Sequence, residues 1–275
     1  MSHEVISEKS SDPKDLAKEQ AFFAPMPLLI MIVFMLGLHA YRVYGLGLFE
    51  NDDVRFLDVT AFVPARFSIW LGLASSSDVI LGITSSSPDL ISLKRALYQA
   101  FVADGESASW TAVTYSFLHG SWEHVIFNSL WLLAFGTPVI RRFGTVRFVV
   151  FFCVTAAMSA AFHAALNLTD VSVLVGASGS VSALTAAALR FAMNDGFANL
   201  GASNIAWHEP AKPLSSALRN RQVLIFIAVW FGINLLGGLG VPVGGGDGLK
   251  IAWEAHVGGF LAGLLLFSLF DPIKN

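Results

Sequence analysis

The sequence predicts an all-α membrane protein, a bundle of six transmembrane helices, and three observations carry that expectation. Of the 275 residues 55% are hydrophobic and only 13% are charged, with a mean hydropathy of +0.63. Soluble domains carry about 25% charged residues, so a globule of this size would lack the polar material to cover itself. The apolar residues also fall in continuous runs near the ~20 residues a helix needs to cross a bilayer. They do not alternate, as the strands of a membrane β-barrel would. No internal period of about 20 to 50 residues is visible, which argues against a repeat architecture.

Residues 1–21 form a short tail in which Glu4, Glu8, Asp12, Asp15 and Glu19 are interspersed with Lys9, Lys14 and Lys18. No basic stretch leads into a short apolar core with a small-residue cleavage site. No cleavable signal peptide is therefore expected, and the first apolar run stays in the mature protein. That run, residues 22–40, is free of Asp, Glu, Lys and Arg and makes the first span. A long first loop at about 45–118 follows. It mixes Asp52, Asp53, Arg55, Asp58, Arg66, Lys94 and Arg95 with apolar patches such as Ile69-Trp70-Leu71-Gly72-Leu73. Such a mixture suits structure lying at the membrane interface.

Further spans are expected at residues 124–140, 148–168, 171–193, 223–239 and 251–270, so that 22–271 form one membrane domain. The run 171–193 is unusually rich in Gly, Ala and Ser, and the last contains Glu254 and His256. Helices are the element expected because they satisfy their own backbone in hydrocarbon. Lys9, Lys14, Lys18, Arg141, Arg142, Arg147, Arg190, Lys212, Arg219, Arg221 and Lys274 fall on one side of this arrangement, most of the 17 basic residues. Basic residues favour the cytoplasmic side, so both termini are expected there. The compact layout suits a bacterial inner-membrane protein. A net charge of -3 leaves no basic footprint for nucleic acid. Cys153 is the single cysteine, which excludes an intrachain disulfide framework and reads as a small buried hydrophobe.

Polar side chains inside spans are costly, so each is a functional candidate. Three clusters stand out. At the start of the second span, His124 and Asn128 lie four residues apart, on one helical face, where two donors can grip a single anionic oxygen. His119 falls off that face and more simply braces the loop. Near the start of the fourth span stands Gly176-Ala177-Ser178-Gly179. Flanking glycines allow close approach to the Ser178 hydroxyl, and a helix N-terminus offers free N–H groups for an oxyanion. On the sixth span His256 shares a face with Gly259 and Gly263, a G-x-x-x-G pair that lets helices pack tightly. His39 and His163 read as interhelical hydrogen-bonders without a polar companion at helical spacing.

The three clusters fit one reaction. His256 can activate the Ser178 hydroxyl across a glycine-lined contact. His124, Asn128 and the Ser178 N–H can receive the oxyanion of a tetrahedral intermediate. No Asp sits within a span near either partner, so the pair reads as a dyad.

In these residues the chain resembles the rhomboid family of intramembrane serine proteases. The resemblance covers roughly residues 110–271. It rests on His119-x4-His124-x3-Asn128, Gly176-x-Ser178-Gly179, and His256 followed by Gly259-x3-Gly263, in the family's order. It implies Ser178 as nucleophile, His256 as general base, and an oxyanion hole of His124, Asn128 and the Ser178 backbone. It also implies a six-helix, rhomboid-like bundle, transmembrane protein substrates in the lipid bilayer and a first loop half-sunk in the membrane. No cofactor is implied. One departure concerns the position four residues after the nucleophile. Some relatives hold there a tyrosine that packs on the catalytic histidine. Here it is Ser182, which leaves open what orients His256.

Rival chemistries lack their residues. A zinc protease needs H-E-x-x-H; around Glu123-His124 the flanking positions are Gly120 and Asn128, so no metal site is read. Gly244-Gly245-Gly246-Asp247 matches the G-x-G-D of aspartyl intramembrane proteases, but the chain has no Tyr-Asp partner, and a glycine-rich turn suffices. A transporter would favour charges in several spans, and only Glu254 qualifies. An inactive rhomboid-like scaffold that binds membrane helices would need neither Ser178 nor His256.

Overall fold

The computed structural model describes residues 24–45, 52–104, 108–191, 210–211, 213–241 and 252–273. The tail 1–21 and the Gly244–Asp247 stretch lie outside the described residues. Among those described, the regular elements are helices, with one isolated antiparallel bridge between Phe62 and Leu174. Five helices are long and apolar enough to cross a membrane: α1 (Met26–Gly45), α7 (Trp122–Phe143), α8 (Thr145–Leu166), α11 (Arg221–Gly238) and α12 (Trp253–Phe270). Between α1 and α7 the first loop folds into α2 (Asp52–Thr60), α3 (Pro64–Trp70), α4 (Ser76–Thr84), α5 (Pro88–Phe101) and the short α6 (Thr111–Thr114), and a short α10 (Leu214–Ala217) precedes α11.

Local signals set the helix ends. Pro27 starts α1, where its missing N–H costs nothing. Ser121 caps α7 by accepting from the His124 N–H at 3.2 Å, and Asn220 caps α11 by accepting from Gln222 at 2.9 Å. Within α7 a π-turn at Leu132–Gly136 precedes Pro138, a residue that cannot continue the α-helical ladder. Gly144, at φ 76°, turns the chain directly from α7 into α8.

The fourth span departs from expectation. Among the described residues of the apolar run 171–193, the helix is α9 (Ser178–Leu189), 12 residues. That is about 18 Å of helix, short of a hydrocarbon core of ~30 Å. The residues before it run non-helically because the first loop takes up their backbone groups. Phe62 and Leu174 exchange hydrogen bonds at 3.3 and 2.8 Å, Ala65 N–H donates to the Asp170 carbonyl at 2.9 Å, and Gly176 N–H donates to the Tyr115 carbonyl at 3.0 Å. Non-helical backbone survives at membrane depth when protein supplies its partners in this way. Hydropathy reads the run as one span because burial by protein and burial by lipid select the same residues.

Every residue of α9 from Gly179 to Leu189 is buried, so α9 is the axis of the bundle. Helix α12 lies against it, backbone to backbone. A Cβ on Gly259 would strike the Gly179 carbonyl, and one on Gly263 would strike the backbone of Ala183. Helix α8 closes the other side through Ser159, whose Oγ donates to the Ala255 carbonyl at 2.6 Å, and through Phe162, which fills the space above Gly258. At the far end Arg142 grips Asp271 through Nε and Nη2, both at 2.9 Å, and lies over the Phe191 ring. The outer faces expose large apolar side chains such as Val33, Ile225, Leu265 and Leu269, the surface that a bilayer covers.

Candidate active site

Ser178 is the first residue of α9, partly accessible, at the point where the extended segment becomes helix. Gly176, at φ 125°, makes the turn that delivers it. Side chains rarely adopt this backbone conformation. A Cβ there would also sit 2.8 Å from His124 Cε1 and Nε2 and 3.7 Å from Ser178 Oγ. The His124 ring and the Ser178 hydroxyl thus border one small space that exists because Gly176 lacks a side chain.

His256 lies in the first turns of α12. Its Nε2 is 2.6 Å from Ser178 Oγ. The glycine-mediated contact of α12 with α9 sets that approach: Gly259 stands three residues on, against Gly179. A hydroxyl held against an imidazole nitrogen is the arrangement in which a base withdraws the proton of a nucleophile. On its other side, His256 Nδ1 is hydrogen-bonded to Oδ1 of Asn234, on α11. Asn234 also donates from Nδ2 to the Trp230 carbonyl at 2.7 Å. Ser182, the residue in the tyrosine position, turns its hydroxyl back to the Ser178 carbonyl at 2.7 Å.

The remaining candidates fall on α7 and the turn before it. His124 is partly buried, and its ring meets that of His119 edge-on at 5.0 Å. Asn128 is buried one turn further on, with Nδ2 donating to the His124 carbonyl at 2.9 Å. An amide nitrogen carries two protons, so one remains to offer. His119 is fully buried and belongs to the scaffold. Its carbonyl accepts from His39 Nδ1 and Arg42 Nη1, each at 3.0 Å, and its Nε2 faces the Ala177 N–H at 3.5 Å. Burial, then the neighbouring His124, pushes its pKa down to about 3, so the ring is neutral. Arg42 is held in turn by Asp53 through two contacts of 2.9 and 3.0 Å.

Gly179 faces the Ser159 side chain and, at 3.3 Å from its missing Cβ, the hydroxyl of Tyr115. His163 does have a polar companion at helical spacing: Asn167 donates to its carbonyl at 3.0 Å, and Glu254 lies 3.5 Å from its Nδ1. Among the described residues no three His, Cys, Asp or Glu side chains converge as metal ligands.

Asn234, Tyr115 and Ser159 were not singled out by sequence reasoning. For Asn234 a signal existed, since it is the only Asn, Gln, Ser, Thr or charged residue in the run 223–239. Tyr115 and Ser159 carry none, because their importance lies in which carbonyls they reach.

The family model of the rhomboid domain matches residues 106–271, which takes in α7, α8, α9, α11, α12 and every residue of the three motifs. A search of curated proteins finds no match to the chain. The match covers more than half of the sequence, and its limits enclose the Ser178–His256 contact; the chain belongs to the rhomboid family, whose members are in general intramembrane serine proteases acting on transmembrane substrates.

Proposed function

We propose that the protein is an intramembrane serine endopeptidase that cleaves transmembrane segments of other membrane proteins with a Ser178–His256 pair. The observation that carries this reading is the 2.6 Å contact between Ser178 Oγ and His256 Nε2. His256 takes the hydroxyl proton as Oγ attacks the scissile carbonyl. The negative charge then develops on the former carbonyl oxygen. The Ser178 N–H, in the first turn of α9 and without an intrahelical acceptor, points a donor at it. His124 and the free proton of the Asn128 amide supply the others. As the C–N bond breaks, His256 returns the proton to the leaving amine. Water, deprotonated by the same nitrogen, then releases the acyl group from Ser178.

The substrate is a membrane helix that unwinds near its end, since a peptide bond inside an intact helix is closed to attack. Small residues at the cut and Gly or Pro nearby favour it. The distribution of Lys and Arg supports cytoplasmic termini and an active site opening to the opposite side, in a bacterial inner membrane.

The test is cleavage of a single-span model substrate by protein in liposomes, with Ser178→Ala and His256→Ala alongside. Both variants are expected to fold and to lose cleavage. Cleavage retained by Ser178→Ala removes the mechanism, whereas wild type that binds the substrate helix without cutting it leaves a membrane-helix-binding scaffold as the reading. Within the same assay, substrates with stiff leucine-rich helices should be cut more slowly than glycine-bearing ones. Equal rates would refute the unwinding requirement.

A further inference from the structure

We infer that Asn234 is a third member of the catalytic arrangement, the positioning residue that fixes the ring and tautomer of His256. The inference rests on the Ser178–His256 reading and deepens it.

Asn234 is buried in the otherwise apolar run 223–239 of α11, where an unpartnered amide would be costly. Both ends of the amide are used, and together they fix its orientation. Nδ2 donates to the Trp230 carbonyl at 2.7 Å, which turns Oδ1 toward His256 Nδ1. The reverse orientation would set Oδ1 against the Trp230 carbonyl, acceptor facing acceptor. It would also set the amide protons against Nδ1, drive the ring proton onto Nε2 and point an N–H at Ser178 Oγ. A base cannot work in that tautomer. With Oδ1 as acceptor, Nδ1 carries the proton and Nε2 presents its lone pair to Ser178.

Asn234 is also well braced. One turn before it, Trp230 stacks on Phe260 of α12, with ring centroids 4.9 Å apart. One turn after it, Gly238 lies under the Trp253 ring. These two contacts hold α11 to α12 on either side of the hydrogen bond.

No other group does the same work. Ser182 is engaged with the Ser178 carbonyl, and Glu254 faces His163. Among the described residues no carboxylate is hydrogen-bonded to His256. The ionisable groups that act electrostatically on the ring are His124 on α7 and His163 on α8. An amide in this place orients the imidazole without burying an anion, which suits a site at membrane depth.

The experiment is steady-state cleavage of the single-span substrate by full-length protein in phosphatidylcholine–phosphatidylglycerol vesicles. Wild type is compared with Asn234→Ala, Asn234→Leu and Asn234→Asp, and with Ser178→Ala as the blank. Asn234→Ala and Asn234→Leu should lose kcat by roughly tenfold or more with KM within about twofold, a fraction of what a general base contributes.

Asn234→Asp keeps the acceptor for Nδ1 but has no proton for the Trp230 carbonyl. It should recover most of kcat, with the acidic limb of the rate profile moved to higher pH by the added negative charge. A role confined to the helix would leave Asn234→Asp as impaired as Asn234→Ala. That result, or an unchanged kcat in Asn234→Ala and Asn234→Leu, overturns the inference. If Asn234→Ala does not fold, Asn234→Leu and Asn234→Asp are the deciding pair. Cleavage surviving in Ser178→Ala is a separate failure, that of the serine reading itself.

Discussion

Two of the neighbours of α12 hold it in opposite ways. Against α9 it packs backbone to backbone, with Gly259 on the Gly179 carbonyl and Gly263 on Ala183. Against α11 it packs through large side chains, Trp230 on Phe260 and Gly238 under Trp253, with the Asn234–His256 hydrogen bond between them. The first contact leaves no slack, because there is no side chain to rotate. It fixes the distance from Ser178 to His256. The second is built from rotatable groups and fixes only which way the imidazole faces. A site that must place two atoms within hydrogen-bond reach puts its shortest, stiffest contact under the reacting pair.

That comparison can be broken from the stiff side first. Gly259→Leu forces a branched side chain into the Gly179 backbone. Overpacking of this kind typically costs about 1–3 kcal/mol, and the cost rises when backbone must move. Loss of cleavage together with a fall of many degrees in the thermal midpoint in detergent is expected. Next in size is Gly176→Ala. Its φ of 125° and the His124 ring 2.8 Å from a Cβ add strain of about 1–3 kcal/mol. Here kcat should fall much further than the midpoint, since the displaced groups are those around Ser178.

On the side-chain contact, Trp230→Leu removes an aromatic stack worth about 0.5–1.5 kcal/mol beyond its buried area. A lower midpoint with a smaller effect on kcat than Gly176→Ala would sharpen the contrast. An equal effect on kcat would dissolve it. Leu265→Ala, on a surface that is 70% exposed, should change the midpoint by less than about 0.5 kcal/mol in equivalent stability.

How much was legible in the sequence follows the same division. The long spans were readable because hydropathy reports burial in lipid, and α1, α7, α8, α11 and α12 lie close to the runs expected for them. Ser178 and His256 were readable as polar residues in costly places beside glycines, and His124 and Asn128 as two donors on one helical face. The true length of α9 was not, because the run 171–193 stays apolar through its non-helical stretch. What stops the helix is the pairing of Leu174 with Phe62, more than a hundred residues earlier, and no local pattern announces it.

Asn234 falls between these cases. Its polarity was visible, but its meaning depended on a partner across a helix pair and on the amide's orientation, which Trp230 decides. The open question at Ser182 is answered in the same way. The orienting group on His256 comes from a different helix, so the position four residues after Ser178 carries no trace of it.

The central claim is that contact with His256 makes Ser178 a nucleophile. The most direct measurement is covalent capture. Protein in liposomes is treated with a serine-reactive fluorophosphonate, and the modified residue is located by mass spectrometry in wild type and in His256→Ala. The account predicts an adduct on Ser178 in wild type and its loss in a folded His256→Ala. An adduct on Ser178 that forms as fast without His256, or labelling directed to a different serine, would contradict it.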